Sequence, residues 1–259
     1  MSGVFTVLGL VAAYVVWSLT RNGKMTSAIL FFCLMELLQF VQYFFIADDL
    51  YDVKCLARIN QILTVLGYVH IQFQPYFTNL YLQAFRPATG KAAPHEEIAW
   101  ALVLKLCLAQ SALGLLRLPL TPGLNAFELS EAQRAWYGGS RDWLEGPQLC
   151  TYRGSLHLAW SIPLAQPTYF LGGMGLHCFM MFVPMLCIGG LSELDAVSFL
   201  FLSGPVLATY LTSNTHEAAS IWCFFSTMQC AIGSVSAILQ YRARASTPAA
   251  RVDAKTKAN

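Results

Sequence analysis

Four residues carry chemistry that an apolar setting makes costly: Glu36 in MELLQFVQY, His70 in GYVHIQFQP, Lys105 in ALVLKLCLAQ and His177 in GMGLHCFM. Each sits inside a long apolar run, where an ionised group costs several kcal/mol unless it is paired or hydrated, so each is a functional candidate. Counting at 1.5 Å per residue from one end of their helices, Lys105 lies roughly 12 Å deep, Glu36 roughly 16 Å, and His70 and His177 roughly 18 to 22 Å. All four therefore share a depth near the midplane of a bilayer. An ion pair between Glu36 and Lys105 is geometrically allowed, and so is a lysine that snorkels to the nearer surface. Glu36, His70 and His177 can together hold a metal, relay a proton or act as acid and base. No H-E-x-x-H or H-x-x-x-H pattern selects among these, and a buried histidine is equally well read as a hydrogen-bonded packing residue.

The third apolar run carries the strongest pattern in the chain. Gln61, Tyr68, Gln72, Asn79 and Gln83 recur at steps of 7, 4, 7 and 4, which at 100° per residue keeps all five within about 40° of one line. His70, Gln74 and Tyr81 form a second line on the opposite side, so little of this helix can face lipid without burying unsatisfied amides. Pro75 removes a backbone hydrogen bond beside His70 and predicts a kink there. The stripe reads either as a hydrated path or as amides gluing helices together. Gln39, three residues after Glu36, belongs with the same polar set. Near the C-terminus Trp222, Ser226, Gln229, Gly233, Ser236 and Gln240 share one face, which suits close packing against a neighbour or the far wall of a path. His157, His216 and Glu217 are expected to gather at one face of the membrane, as an access point or as ordinary wet-interface residues.

Eight cysteines include no C-x-x-C pair, which argues against a zinc ribbon or a thioredoxin-like motif. Cys33, Cys107, Cys178, Cys187, Cys223 and Cys230 fall within apolar runs and read as packing residues. Cys55 and Cys150 fall outside them, on the same side of the chain's topology, and are candidates for a disulfide in an oxidising compartment.

The elements that must position these residues follow from composition. Of 259 residues 56% are hydrophobic and only 12% charged, and the mean hydropathy is +0.51; a soluble domain carries roughly twice that charge. Seven apolar runs reach helical span length, at 3 to 19, 25 to 47, 56 to 85, 97 to 116, 167 to 189, 195 to 212 and 215 to 241. The expected fold is an all-α polytopic transmembrane bundle of seven helices in one domain, 1 to 241. A membrane barrel is excluded, because these runs do not alternate apolar and polar residues. The first run lacks a preceding basic residue and is followed by Arg21 and Lys24, which predicts an outer N-terminus and a cytoplasmic C-terminus. In that orientation nine Lys and Arg lie inside and six outside. The 117 to 166 connection is the one sizeable outer loop, with capping boxes at Asn125–Glu128 and Ser130–Gln133 that predict a short interfacial helix near Trp136. Residues 242 to 259 read as a short basic disordered tail. A net charge of +2 without a basic cluster gives no case for nucleic acid, so the expected partner is the bilayer itself.

Seven helices with an outer N-terminus look like the receptor and rhodopsin architecture, but the motifs do not follow: the last helix has no lysine for a Schiff base and no N-P-x-x-Y. The alkaline ceramidase-like metal pattern is also missing. The segments MELLQFVQY, NQILTVLGYVHIQFQPYFTN, CTYRGSLHLAW and HEAASIWCFFS together resemble an uncharacterised family of multi-spanning membrane proteins of bacteria and some algae. The likeness covers the second to seventh helices. It implies that Glu36, Asn60, Gln61, His70, Gln74, Pro75, Cys150, His157, Trp160, Glu217 and Trp222 lie in the family's motifs, and it brings no catalytic role or cofactor. Three functions remain open at this level. One is a polar intramembrane site that binds or passes a small polar solute or proton. The second is a membrane-embedded lipid-modifying or oxidising enzyme whose Glu and His residues hold a metal or act as acid and base. The third is a non-catalytic assembly or receptor subunit.

Overall fold

A computed structural model describes residues 2–85, 94–119, 143–164 and 173–245. Helices α1 (Ser2–Thr20) and α2 (Gly23–Gln42) form a tight antiparallel hairpin. Arg21 breaks α1 by adopting a left-handed φ of 54°. Asn22 then starts α2, its side-chain oxygen accepting from the Met25 amide at 3.1 Å, so one of the orphan donors of the first turn is satisfied. The Cys33 thiol donates to the Thr6 carbonyl at 3.1 Å, tying the pair along its length.

The third run divides. A single kinked helix is expected over 56 to 85, whereas the structure holds α3 (Arg58–Gln72) and α4 (Gln74–Phe85), separated at Phe73. Pro75 occupies the first turn of α4, where a missing N–H costs nothing, so the proline begins a new helix instead of bending an old one. Helix α5 (Pro94–Leu116) likewise opens on a proline, with Glu96 and Glu97 in a first turn that favours negative charge. Helix α6 (Met174–Gly189) contains Pro184. A broken rod follows, of α7 (Leu194–Phe201), a π-helical turn over Leu202–Val206, and α8 (Leu207–Leu211). Helix α9 (Thr215–Ala245) is the longest. It carries the helical chain past the expected boundary at 241, because nothing in QYRARA breaks a helix; the tail beyond Ala245 lies outside the described residues.

Two strands that periodicity does not reveal close one end. Strands β1 (Cys150–Arg153) and β2 (Leu158–Ser161) pair antiparallel, with Cys150 opposite Ser161. Ala47, just past α2, adds a parallel bridge beside Tyr152, its amide donating to the Thr151 carbonyl at 3.1 Å. This hairpin, the turn at Val53–Leu56 and residues 143–149 form a cap. The capping-box segments at 125 to 133 and Trp136 lie outside the described residues.

Polarity runs inside out. Val4, Val7, Val11 and Tyr14 of α1, and Ile98, Leu102 and Leu106 of α5, are exposed, while Glu36, Gln39 and Asn79 are fully buried. An apolar exterior of this extent around a polar interior suits lipid and not water. Among the described residues five helical segments are long and apolar enough to cross a membrane: Ser2–Thr20, Gly23–Gln42, Pro94–Leu116, Leu194–Leu211 and Thr215–Ser236.

Candidate functional site

The four midplane candidates do not form one cluster. Lys105 is exposed on the same lipid-type face of α5 as Leu102 and Leu106, so the allowed ion pair with buried Glu36 does not form; the lysine stem is free to carry its ammonium to a polar surface. His70 uses Nε2 to donate to the Phe31 carbonyl at 2.8 Å, with its ring stacked on Phe31 at 3.8 Å. Its Nδ1 is buried without a partner. His177 lies elsewhere, its Nε2 3.3 Å from the Gln74 Oε1. Among the described residues no group of three or more His, Cys, Asp and Glu is placed to hold a metal. The expected ligand set His70, His177 and Glu36 is therefore not assembled, because His70 turns toward α2 and His177 toward α4.

The polar stripe also divides at Phe73. Gln61 donates to the Cys55 carbonyl at 3.1 Å on the cap side, and Gln83 accepts from Lys24 at 3.0 Å at the opposite end. Between them Tyr68 donates to the Gly114 carbonyl at 2.7 Å, and Ser111 donates to the Gln72 carbonyl at 2.6 Å. Asn79 donates to the Pro75 and Met180 carbonyls at 2.8 and 2.7 Å. The stripe thus faces α5 and α6, and its middle is both glue and the wall of a cavity.

That cavity lies beneath the cap and is lined by Tyr68, Gln72, Gln74, Arg117, His177 and Trp222, closed above by Trp143 and Leu144. Its volume is ≈ 30 Å³, enough for ordered water beside the polar groups of the wall. Gln72 presents a carbonyl oxygen with no protein partner. Arg117 stands 3.7 Å from Glu145, both side chains nearly inaccessible. Leu144 is held at φ 67°, a conformation costly for a branched side chain that persists where the surroundings over-determine it. Neither Arg117 nor Glu145 is marked by local sequence: both read as loop charges, and only the folded loop carries them inward.

A second cavity of ≈ 30 Å³ lies deeper, lined by Phe32, Thr78, Tyr81, Phe182, Ser226 and Gln229 among others. Trp222 lines both cavities. Its indole meets Trp143 edge-on at 5.6 Å and His177 at 5.8 Å, and stacks near Phe182 at 6.2 Å. Opposite stands the π-helical turn, where a Cβ on Gly204 would approach the Trp222 Nε1 to 2.7 Å. Such turns recur at functional positions because they displace one backbone carbonyl from the helical ladder. Gln229 ties α9 to this rod by donating to Ser203 Oγ at 2.7 Å and the Leu200 carbonyl at 3.1 Å.

At the cap, His157, His216 and Glu217 do gather. Glu217, at the start of α9, accepts from the amides of Leu156 and His157, each at 2.6 Å, from Thr212 at 2.6 Å and from Ser155 at 3.0 Å. Gly154 leaves room for this carboxylate, since a side chain there would run into it. His216 contacts Tyr152 Oη at 2.9 Å through Nδ1 and the Glu145 carbonyl at 2.9 Å through Nε2. His157 Nδ1 lies 3.2 Å from Ser220 Oγ, whose own hydrogen goes to the Leu158 carbonyl; Nδ1 therefore carries the proton and Nε2 is a buried bare acceptor. Burial holds His157 down to about 4, outweighing the upward pull of Glu217. Glu217 and both ring nitrogens of His216 are engaged by protein partners, while His157 keeps Nε2 without one. Cys55 and Cys150 form a disulfide. Beside it Asn60 donates to the Phe45 and Thr151 carbonyls at 2.9 and 2.7 Å, and accepts from the Thr151 amide at 2.9 Å.

The model of a family described as a family of unknown function (DUF5765) matches residues 1–244. The chain belongs to that family. No curated protein and no solved structure matches it. The DUF5765 match takes in α1 as well as the second to seventh apolar runs, so every element lining the two cavities falls within the family's extent.

Proposed function

We propose that this DUF5765 protein is a seven-crossing membrane bundle that binds a small polar solute beneath its cap and passes it beyond Trp222. The remaining two crossings are α3 with α4, joined at Phe73, and the short apolar α6. The cap faces an oxidising compartment, in keeping with its disulfide. The observation that carries the reading is that one side chain, Trp222, separates a polar cavity from a deeper one in the interior of the bundle. Tyr68, Gln72, Gln74 and His177 offer the solute hydrogen-bond partners. Arg117, paired with Glu145, supplies charge at the first cavity, and Ser226 and Gln229 are polar groups in a mostly apolar second cavity beyond the tryptophan. The enzyme reading draws no support from the placement of His70, which turns away from His177.

The test is stopped-flow light scattering on proteoliposomes challenged with urea, glycerol or glycine. Wild type and Trp222→Phe are expected to admit at least one of these faster than protein-free vesicles, and Trp222→Ala to raise that permeability several-fold. Equal permeability of all three proteins and empty vesicles would overturn the reading.

A further inference from the structure

Glu36 lies outside both cavities, in the interface where α1, α2 and α9 meet. It is 0% exposed, as is Gln39, and Ser2 is 1% exposed. Neither carboxylate oxygen of Glu36, neither amide atom of Gln39, nor the Ser2 hydroxyl has a hydrogen-bond partner in the protein. Glu36 and Gln39 are three residues apart and so are neighbours on one helix face, and the Ser2 hydroxyl acts on the Glu36 carboxyl from α1. Five unsatisfied polar atoms in one interface are too many for packing glue, since each such buried group costs free energy and a bare carboxylate costs most.

The groups that reach Glu36 electrostatically do not neutralise it by contact. Cys33 and Tyr43 face it from α2 and its end, and Cys223 from α9. Among the described residues no Lys, Arg or His side chain forms an ion pair with Glu36. What the site lacks is one positive charge held by oxygen donors. A carboxylate, an amide carbonyl and a hydroxyl are hard ligands, and a single carboxylate balances a single charge.

We propose that Glu36, Gln39 and Ser2 form a monovalent-cation site that takes a proton or a sodium ion. In the proton case the carboxyl carries the hydrogen and donates it to a neighbouring oxygen. In the sodium case the ionised carboxylate and the Gln39 and Ser2 oxygens coordinate the ion. The site is joined to the solute cavity: Cys223 accepts from Gln74 Nε2 at 3.0 Å, and Gln74 Oε1 meets His177 Nε2 at 3.3 Å. Coupling of cation to solute rests on the reading above; the cation site itself does not.

The experiment therefore uses no solute. Infrared spectra of the purified full chain in nanodiscs are recorded in sodium and in choline buffers, with melting temperatures in parallel, for wild type and Glu36→Gln. A proton site gives a carboxylic-acid carbonyl band at neutral pH that Glu36→Gln removes and sodium leaves unchanged. A sodium site gives a melting temperature that rises with sodium but not choline, in wild type alone. An ionised Glu36 with no sodium dependence overturns the proposal. Should Glu36→Gln fail to fold, Glu36→Asp assigns the band by shifting it.

Discussion

His157 shows how a single imidazole can report on the state of the cap. Burial keeps it neutral in the folded protein down to about pH 4, whereas an unfolded chain titrates it near its ordinary value of about 6.5. Between these values the unfolded state binds the extra proton, so stability must fall as pH is lowered from about 6.5 towards about 4. Thermal unfolding in detergent across that range is expected to show a melting temperature dropping by several degrees in wild type, with a shallower slope in His157→Phe. Equal slopes would mean that the ring gains its proton in the folded cap. Gathering of His157 with Glu217 was legible because the 117 to 166 connection and the start of the last run fall on the same side of the expected topology. That the carboxylate is saturated by two backbone amides was not, because the donors belong to a turn that no side-chain pattern marks.

The rod from Leu194 to Leu211 is where backbone geometry, more than side-chain chemistry, sets the shape of the interior. Its π-helical turn places Gly204 against Trp222. Gly204→Ala must push the indole or unwind the turn, because the added carbon would sit 2.7 Å from Nε1. The expected result is a shift in tryptophan emission and a permeability altered in the same assay as Trp222→Ala, with a stability loss of about 1 to 3 kcal/mol. An unaltered emission spectrum would show that the turn has slack. Apolar runs located α1, α5 and α9 to within a few residues, while the second run overshoots the end of α2 at Gln42 and the start of the fifth lies outside the described residues. Pro75 pointed to a kink but not to a full division at Phe73, and the runs do not show the π turn, which depends on hydrogen bonds that neighbouring helices donate to the rod's carbonyls. The strands escaped for a different reason: at four residues each, with β2 buried throughout and β1 passing from buried to exposed, they carry no period of two.

Across the whole molecule the cap and the bundle hold each other in register. The Cys55–Cys150 bridge spans a sequence separation of 95, for which the chain-entropy model gives a contribution of about 4 to 5 kcal/mol. Reduction, or Cys55→Ser with Cys150→Ser, is expected to lower the melting temperature by roughly 10 °C or more for a domain of this size. Comparison of reduced and oxidised protein on one calorimetric trace decides it. The pairing was legible from topology alone, as two cysteines outside the apolar runs on one side. The buried pair of Arg117 and Glu145 was not, because both stand in a connection whose path only tertiary contacts define.

The carboxylate that pins the β-hairpin turn belongs to α9, which a ribosome makes after the hairpin and its disulfide. The two bridging cysteines emerge long before it, so covalent closure can precede the docking that seats the turn. A nascent chain stopped short of Glu217 would thus present a sealed but loosely seated lid, with the amides of Leu156 and His157 still seeking an acceptor. Insertion of α9 is in this sense read out at the cap: a helix made after the hairpin is the one that seats its turn.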